Sequence, residues 1–177
     1  MKVTKWALFI SGTGSNLQAV LDLVSDSMQI HVFSNQAKAP GLGKARRMGV
    51  PTYVIENPVD WNHLNQKLTD LGIQKIFCLG FMKIIPETFI HLWKNKIFNL
   101  HPSLLPSYPG LQAFEKAFAE QNPLGATVHI VTQKVDAGPI IKQRKFLSDF
   151  KNFQESRLKL SWTEQSLVRE VINNESL

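Results

Sequence analysis

The stretch "KWALFISGTGSNLQAVLDLV", residues 5–24, sets three signals in a row. It opens on an uninterrupted apolar run, Trp6–Ile10. A run without polar alternation suits a strand buried on both faces of a sheet. Next come Gly12-Thr13-Gly14-Ser15-Asn16, in which the glycines permit a sharp turn. Leu17, Val20, Leu21 and Val24 then recur at helical spacing. Strand, tight turn and helix in that order form the first half of a βαβ unit.

Working outward, the same rhythm repeats. "IHVFSN" (30–35) and "PTYVIE" (51–56) read as strands flanking "APGLGKARRMG" (39–49), a helix with Pro40 at its start and Gly49 at its end. "VDWNHLNQKLTDLG" (59–72) is a helix closed by Gly72, and "KIFCLGF" (75–81) is a fourth, almost wholly apolar strand. "PETFIHLW" (86–93) reads as a short helix and "IFNLH" (97–101) as a fifth strand. Beyond a proline-rich segment, "LQAFEKAFAEQ" (111–121) is a helix. "ATVHIVTQ" (126–133) and "IIKQRKFL" (140–147) are two strands across the turn "KVDAGP", read as antiparallel. A last helix covers 152–173, with Leu158, Trp162 or its neighbour Ser161, Leu167 and Val171 expected inward. This alternation predicts one α/β domain over 1–177. Its sheet is open, mainly parallel and twisted, of Rossmann-like type, with helices on both faces and antiparallel pairing towards the C-terminal end. In such sheets ligands bind beyond the carboxyl ends of the strands, near a switch in strand order.

Composition narrows the function classes. Hydrophobic residues make up 44% and charged residues 19% of 177 positions, the balance of a globular protein. No apolar run approaches the ~20 residues that cross a bilayer, so no membrane association is expected. The start "MKVTKWALFI" has a basic-then-apolar character, but its apolar run is shorter than a secretion-signal core and no small-residue cleavage site follows. The single cysteine, Cys78, leaves no internal disulfide and no cysteine-rich metal site. A reducing, cytoplasmic setting is the expectation. The net charge of +6 favours anionic ligands without pointing to nucleic acid. Its clusters, Lys44–Arg47 and Lys142–Lys145, read as solvated surface.

The glycine-rich turn opens a helix, whose first N–H groups and positive dipole end attract anions. A phosphate fits there, although Ser15 or Asn16 can equally cap the helix with no ligand. No Gly-Lys-Ser/Thr follows, which excludes a Walker loop. Leu17 stands where a dinucleotide loop needs a small residue, and Ser34 and Asn35 stand where it needs an acid. A phosphate monoester is the better ligand. In "IFNLH", strand parity puts Asn99 and His101 on one face and Leu100 on the other. An amide can stabilise an oxyanion, and an imidazole can move protons near neutral pH. Pro102, Pro106 and Pro109 stiffen the loop that follows. Asp136, in "KVDAGP", is the acidic candidate to orient His101 and favour its charged form; it can also be a simple turn residue. His63 and His91 lack metal-like spacing. His129 reads as a core residue or a support behind the site.

Taken together, "SGTGSNLQA", "LGFMKI", "FNLHPSLLPSYPG", "GATVHIV" and "VDAGPII", in this order, closely resemble the phosphoribosylglycinamide formyltransferase family of folate-dependent enzymes. The resemblance runs from about residue 5 to residue 172. It implies formyl transfer from 10-formyltetrahydrofolate, a co-substrate, to the amine of glycinamide ribonucleotide, with no metal and no nucleophilic cysteine. It implies Asn99, His101 and Asp136 as the catalytic residues. Gly14, Ser15, Asn16 and Glu164 would bind the phosphoribosyl substrate. Met82, Lys83, Ile84 and Ile85, with Asn99 and the segment Thr132, Gln133, Lys134, Val135 and Asp136, would bind the folate. The expected partners are these small molecules, with no nucleic acid, and the chain is expected as a monomer or homodimer.

The chain also departs from the family pattern. Gln112, Ala113 and Phe114 follow Tyr-Pro-Gly-Leu where members commonly carry histidine. Thr13 stands where asparagine is frequent, Lys83 where arginine is usual, Ser161 where some members have glutamine, and Gln165 where histidine usually follows Glu164. These positions bear on substrate fit more than on the catalytic trio. Neighbouring possibilities keep the chemistry and change the acceptor, or release formate to water as a hydrolase. A non-catalytic phosphate- or folate-binding module is the alternative from another class.

Overall fold

A computed structural model describes residues 3–23 and 28–176. Val24, expected to face inward from the first helix, lies outside the described residues. The strands are β1 (Thr4–Ile10), β2 (Met28–Ser34), β3 (Thr52–Val54), β4 (Lys75–Cys78), β5 (Ile97–His101), β6 (Leu124–Ile130) and β7 (Ile140–Phe146). The helices are α1 (Ser15–Leu21), α2 (Pro40–Arg47), α3 (Trp61–Asp70), α4 (Glu87–Leu92), α5 (Ala113–Ala119) and α6 (Phe153–Ser176). All seven strands form one sheet in the order β3-β2-β1-β4-β5-β6-β7. The first five strands in sequence are mutually parallel, whereas β6 pairs antiparallel with both β5 and β7. The expected architecture is the observed one.

The run Trp6–Ile10 behaves as its composition requires. All five residues are fully buried. Trp6, Leu8 and Ile10 enter one core with Leu17, Val20 and Leu42 from α1 and α2, and with the inner face of α6. Ala7 and Phe9 enter the opposite core with Leu64, Leu68 and Phe89 from α3 and α4. Alternating side chains thus serve two hydrophobic layers, and helices cover both faces. From β1 the chain builds outward through β2 and β3, then returns to place β4 on the other side of β1. That reversal opens a crevice at the carboxyl ends of β1 and β4, with Gly12–Asn16 at its lip.

The long last helix differs from expectation in phase. Leu158 and Trp162 are 56% and 66% exposed, and the buried stripe is Leu160, Thr163, Leu167, Val168, Val171 and Ile172. Spacing explains the correction. Leu158 to Trp162 to Leu167 needs a five-residue step that slips off a helical face. Leu160, Thr163, Leu167 and Val171 step by three, four and four, and stay on one face. Leu167→Ala should therefore lower stability by about 2–5 kcal/mol in chemical denaturation, whereas Trp162→Ala should change it by no more than about 1 kcal/mol. Equal losses would contradict this packing.

Candidate active site

The last residues of β5 carry the expected parity. Leu100 turns into the core at 8% exposure, while Asn99 and His101 face the other way. Across the β5–β6 pairing, Asn99 lies opposite His129 and His101 opposite Thr127. Asp136 arrives from the turn between β6 and β7, in a left-handed conformation at φ 51°. An aspartate tolerates that region better than most residues. Gly138 makes the turn possible: a Cβ there would sit 1.9 Å from the Ile130 carbonyl oxygen.

These elements knot four side chains together. Asn99 Nδ2 donates to Asp136 Oδ1 at 3.3 Å and reaches His129 Nε2 at 3.1 Å. His101 Nδ1 lies 3.3 Å from Asp136 Oδ2, and His129 Nε2 lies 3.4 Å from Asp136 Oδ1. The backbone N–H of Gly110 donates to Asp136 Oδ2 at 2.8 Å. Proton positions follow from what each partner can do. The Tyr108 carbonyl only accepts, so His101 Nε2, 2.8 Å away, carries a proton. The Ile130 carbonyl likewise requires a proton on His129 Nδ1. His129 Nε2 then accepts from Asn99 in the neutral ring, or donates to Asp136 in the charged one. Burial alone would push the Asp136 carboxyl up. The hydrogen bonds from His129 and Gly110, with the charges of His101 and His129, outweigh burial and hold it below the usual carboxylate range. The structure thus brings Asn99, His101 and Asp136 together, with the Asp136 side chain only 10% exposed.

Gly14 precedes α1 at φ 67°, and a Cβ there would meet the Cα of Gly41 at 3.0 Å. Glycine is required by both conformation and contact. Asn16, just inside the helix, donates from Nδ2 to Glu164 Oε2 at 3.1 Å across 148 residues of chain. Two of the expected substrate-binding residues are therefore joined. Asn16 Oδ1 is buried without a donor among the described residues, an unmet acceptor beside Glu164. Burial raises the Glu164 carboxyl, against the lowering effects of the Asn16 bond and the Arg157 charge. Ser15 is exposed at the same loop. The Lys44 ammonium lies 3.5 Å from the Gly14 carbonyl. Lys44, expected as solvated surface, thus stands beside the glycine-rich turn.

The expected folate segments are loops. Met82, Lys83 and Ile84 are exposed, Ile85 is half-buried, and Thr132–Val135 follow β6. Ser11 ties the first loop to β1 by accepting from the Met82 N–H at 2.8 Å and donating to Asn35 at 2.6 Å. Gln133 donates to Glu87 at 2.8 Å and so links the second loop to α4. An open cleft of about 490 Å³ runs beside Asp136, walled by Leu105, Pro106, Gly138 and Ile140. Its size falls within the range of small-molecule sites. Among the described residues, no group of three or more His, Cys, Asp or Glu stands in an arrangement that could hold a metal ion, and no helix is long and apolar enough to cross a membrane.

The departures from family pattern also find physical places. Gln112 occupies the N-cap position of α5 at φ 59° without a side-chain capping bond, and Ala113 and Phe114 are buried. The Phe114 ring packs 5.4 Å from Phe153. Gln165 donates to Ser161 at 3.3 Å along α6. His129 emerges as a full member of the four-residue knot, and only its pairing opposite Asn99 could have signalled that.

The formyl transferase family model matches residues 4–159. The trifunctional purine biosynthetic protein adenosine-3 of Homo sapiens is 44% identical over 153 residues, which cover 80% of this chain and 15% of that protein. The chain thus spans only a small part of the trifunctional relatives it matches. Phosphoribosylglycinamide formyltransferase of Haemophilus influenzae is 37% identical over 152 residues, covering 80% of this chain and 72% of that relative. The crystal structure of phosphoribosylglycinamide formyltransferase from Anaplasma phagocytophilum superposes with a TM-score of 0.91 at 36% identity, over 99% of this chain and 88% of the other.

Proposed function

The chain belongs to the formyl transferase family, and on that premise we propose that it transfers a formyl group from 10-formyltetrahydrofolate to the amine of 5-phosphoribosylglycinamide, a step of purine biosynthesis. The observation that carries this reading is the knot of Asn99, His101 and Asp136 at the carboxyl end of β5, with the turn into α1, whose Asn16 bonds Glu164, following the carboxyl end of the parallel strand β1. A phosphate would lie on Gly14, Ser15 and Asn16, with the Lys44 charge near it. The ribosyl hydroxyls would meet Asn16 and Glu164. The pterin would sit between Met82–Ile85 and Thr132–Asp136.

The chemistry needs one proton moved and one charge stabilised. The amine lone pair attacks the formyl carbon, and the carbonyl oxygen gains negative charge. An N–H of Asn99 turns towards that oxygen, and the Nε2 proton of His101, kept in place by the Tyr108 carbonyl, is shared with it. The C–N10 bond then breaks, and the proton lost by the amine reaches N10 through His101. Asp136 holds His101 by its Nδ1 side throughout. The donor already carries an activated formyl group, so no covalent intermediate on the protein is required.

A crystal soaked with glycinamide ribonucleotide tests the assignment. Phosphate density on Gly14–Asn16 with the amine directed at Asn99 and His101 is expected; phosphate bound elsewhere would contradict it. Glu164→Gln should raise KM for the ribonucleotide by about tenfold and leave KM for the folate unchanged, because a charge-assisted hydrogen bond to the sugar is weakened. A change confined to the folate KM would remove Glu164 from the acceptor site.

A further inference from the structure

Tyr108 is held in a left-handed conformation at φ 56°, which is uncommon for an aromatic residue and persists only where surrounding contacts enforce it. Two sets of contacts meet on this residue. Its carbonyl accepts the His101 Nε2 proton at 2.8 Å and a weaker bond from Ser103 Oγ at 3.4 Å. Its phenol donates to Glu120 Oε2 at 2.5 Å and accepts from Asn122 Nδ2. Glu120 and Asn122 are themselves anchored to the end of α5 by backbone bonds to Lys116 and Ala117. The Tyr108 ring packs on the core that contains Phe114 and Leu124. Two residues on, the Gly110 N–H holds Asp136. The loop between β5 and α5 therefore touches both members of the His101–Asp136 pair, and a phenol latch fastens its middle.

From this arrangement we infer that Tyr108 is a positioning residue for His101. The latch to Glu120 and Asn122 fixes the Tyr108 carbonyl where it receives the Nε2 proton, which orients the ring with Nδ1 towards Asp136. A shift of the carbonyl by a fraction of an ångström would let the imidazole rotate, and misplacement of a proton-transfer group reduces turnover more than binding. The Glu120 hydrogen bond also raises the phenol above its usual value, so Tyr108 remains a donor across the neutral range. The inference extends the formyl-transfer reading and rests on it for its kinetic consequence, but not for its structural one.

The test uses Tyr108→Phe, which keeps the ring and deletes both phenol bonds, with Glu120→Ala and Glu120→Gln as companions. In Tyr108→Phe and Glu120→Ala, kcat should fall by about ten- to a hundredfold, with KM for both substrates within about twofold of the parent. Glu120→Gln retains an acceptor oxygen and should restore most of the rate. Imidazole nitrogen NMR of the ligand-free protein should show a protonated, slowly exchanging His101 Nε2 in the parent and in Glu120→Gln, and its loss in the other two variants. Unchanged His101 signals in Tyr108→Phe would overturn the inference, as would altered signals with a parental kcat. If the parent transfers no formyl group, the functional reading fails, and the NMR comparison still decides whether the latch orients His101.

Discussion

Alanine in place of His101 is expected to lower kcat for formyl transfer by about 10²–10⁴-fold, the span usually lost with a general acid–base group. His101 is 4% exposed, and its two ring nitrogens are engaged by Asp136 and the Tyr108 carbonyl. Asn99 cannot titrate, and His129, the other imidazole of the knot, sits behind Asn99 with its Nδ1 proton held by the Ile130 carbonyl. Denaturation of the variant separates this effect from unfolding. Steady-state rates with both substrates saturating measure it. A kcat within about threefold of the parent would remove His101 from the mechanism.

Asp136→Asn should reduce kcat by a comparable factor, about 10²–10⁴-fold, for a different reason. The carboxylate accepts from Gly110 and Asn99 and faces two imidazoles. An asparagine has only one acceptor oxygen, and its NH₂ group would confront donors. The negative charge facing both imidazoles would also vanish. The same substitution predicts a stability difference with a definite sign. In the folded chain Asp136 is held below the ordinary carboxylate range, so the folded state binds its proton less readily than the unfolded state. Its stabilisation is complete above about pH 4 and is lost as the pH falls through the folded value. Acid unfolding of the parent should therefore steepen below about pH 4, and that component should be missing in Asp136→Asn. Parallel acid-unfolding curves would contradict the environment described for this carboxylate.

How much of this was legible in the sequence depended on range. The Trp6–Ile10 run and the glycine turn after it imply a buried parallel strand, and the sheet is built around that strand. Parity alone places Asn99 and His101 on one face. Both inferences rest on local periodicity, which a chain displays directly. The turn carrying Asp136 was visible as a turn, its carboxylate was the acidic candidate to orient His101, and the resemblance implied the pairing. Contacts between distant segments left no local trace. Nothing near Asn16 announces Glu164, and nothing in α2 announces that Lys44 would reach the Gly14 carbonyl. The engagement of His129 depends on β5–β6 register, which a sequence does not print. The phase of α6 misled because Leu158 and Trp162 are apolar yet exposed, whereas Thr163 and Ser156 are polar yet buried. Hydrophobicity is a one-way guide to burial, and a long helix touching both a sheet and α1 mixes its faces.

The most direct measurement is tetrahydrofolate release from 10-formyltetrahydrofolate by the purified protein, with and without glycinamide ribonucleotide. Release that requires the ribonucleotide, and yields its formylated amine in equal amount, is the predicted result. Release into water without the acceptor, or no release with it, would contradict formyl transfer as the function of this site.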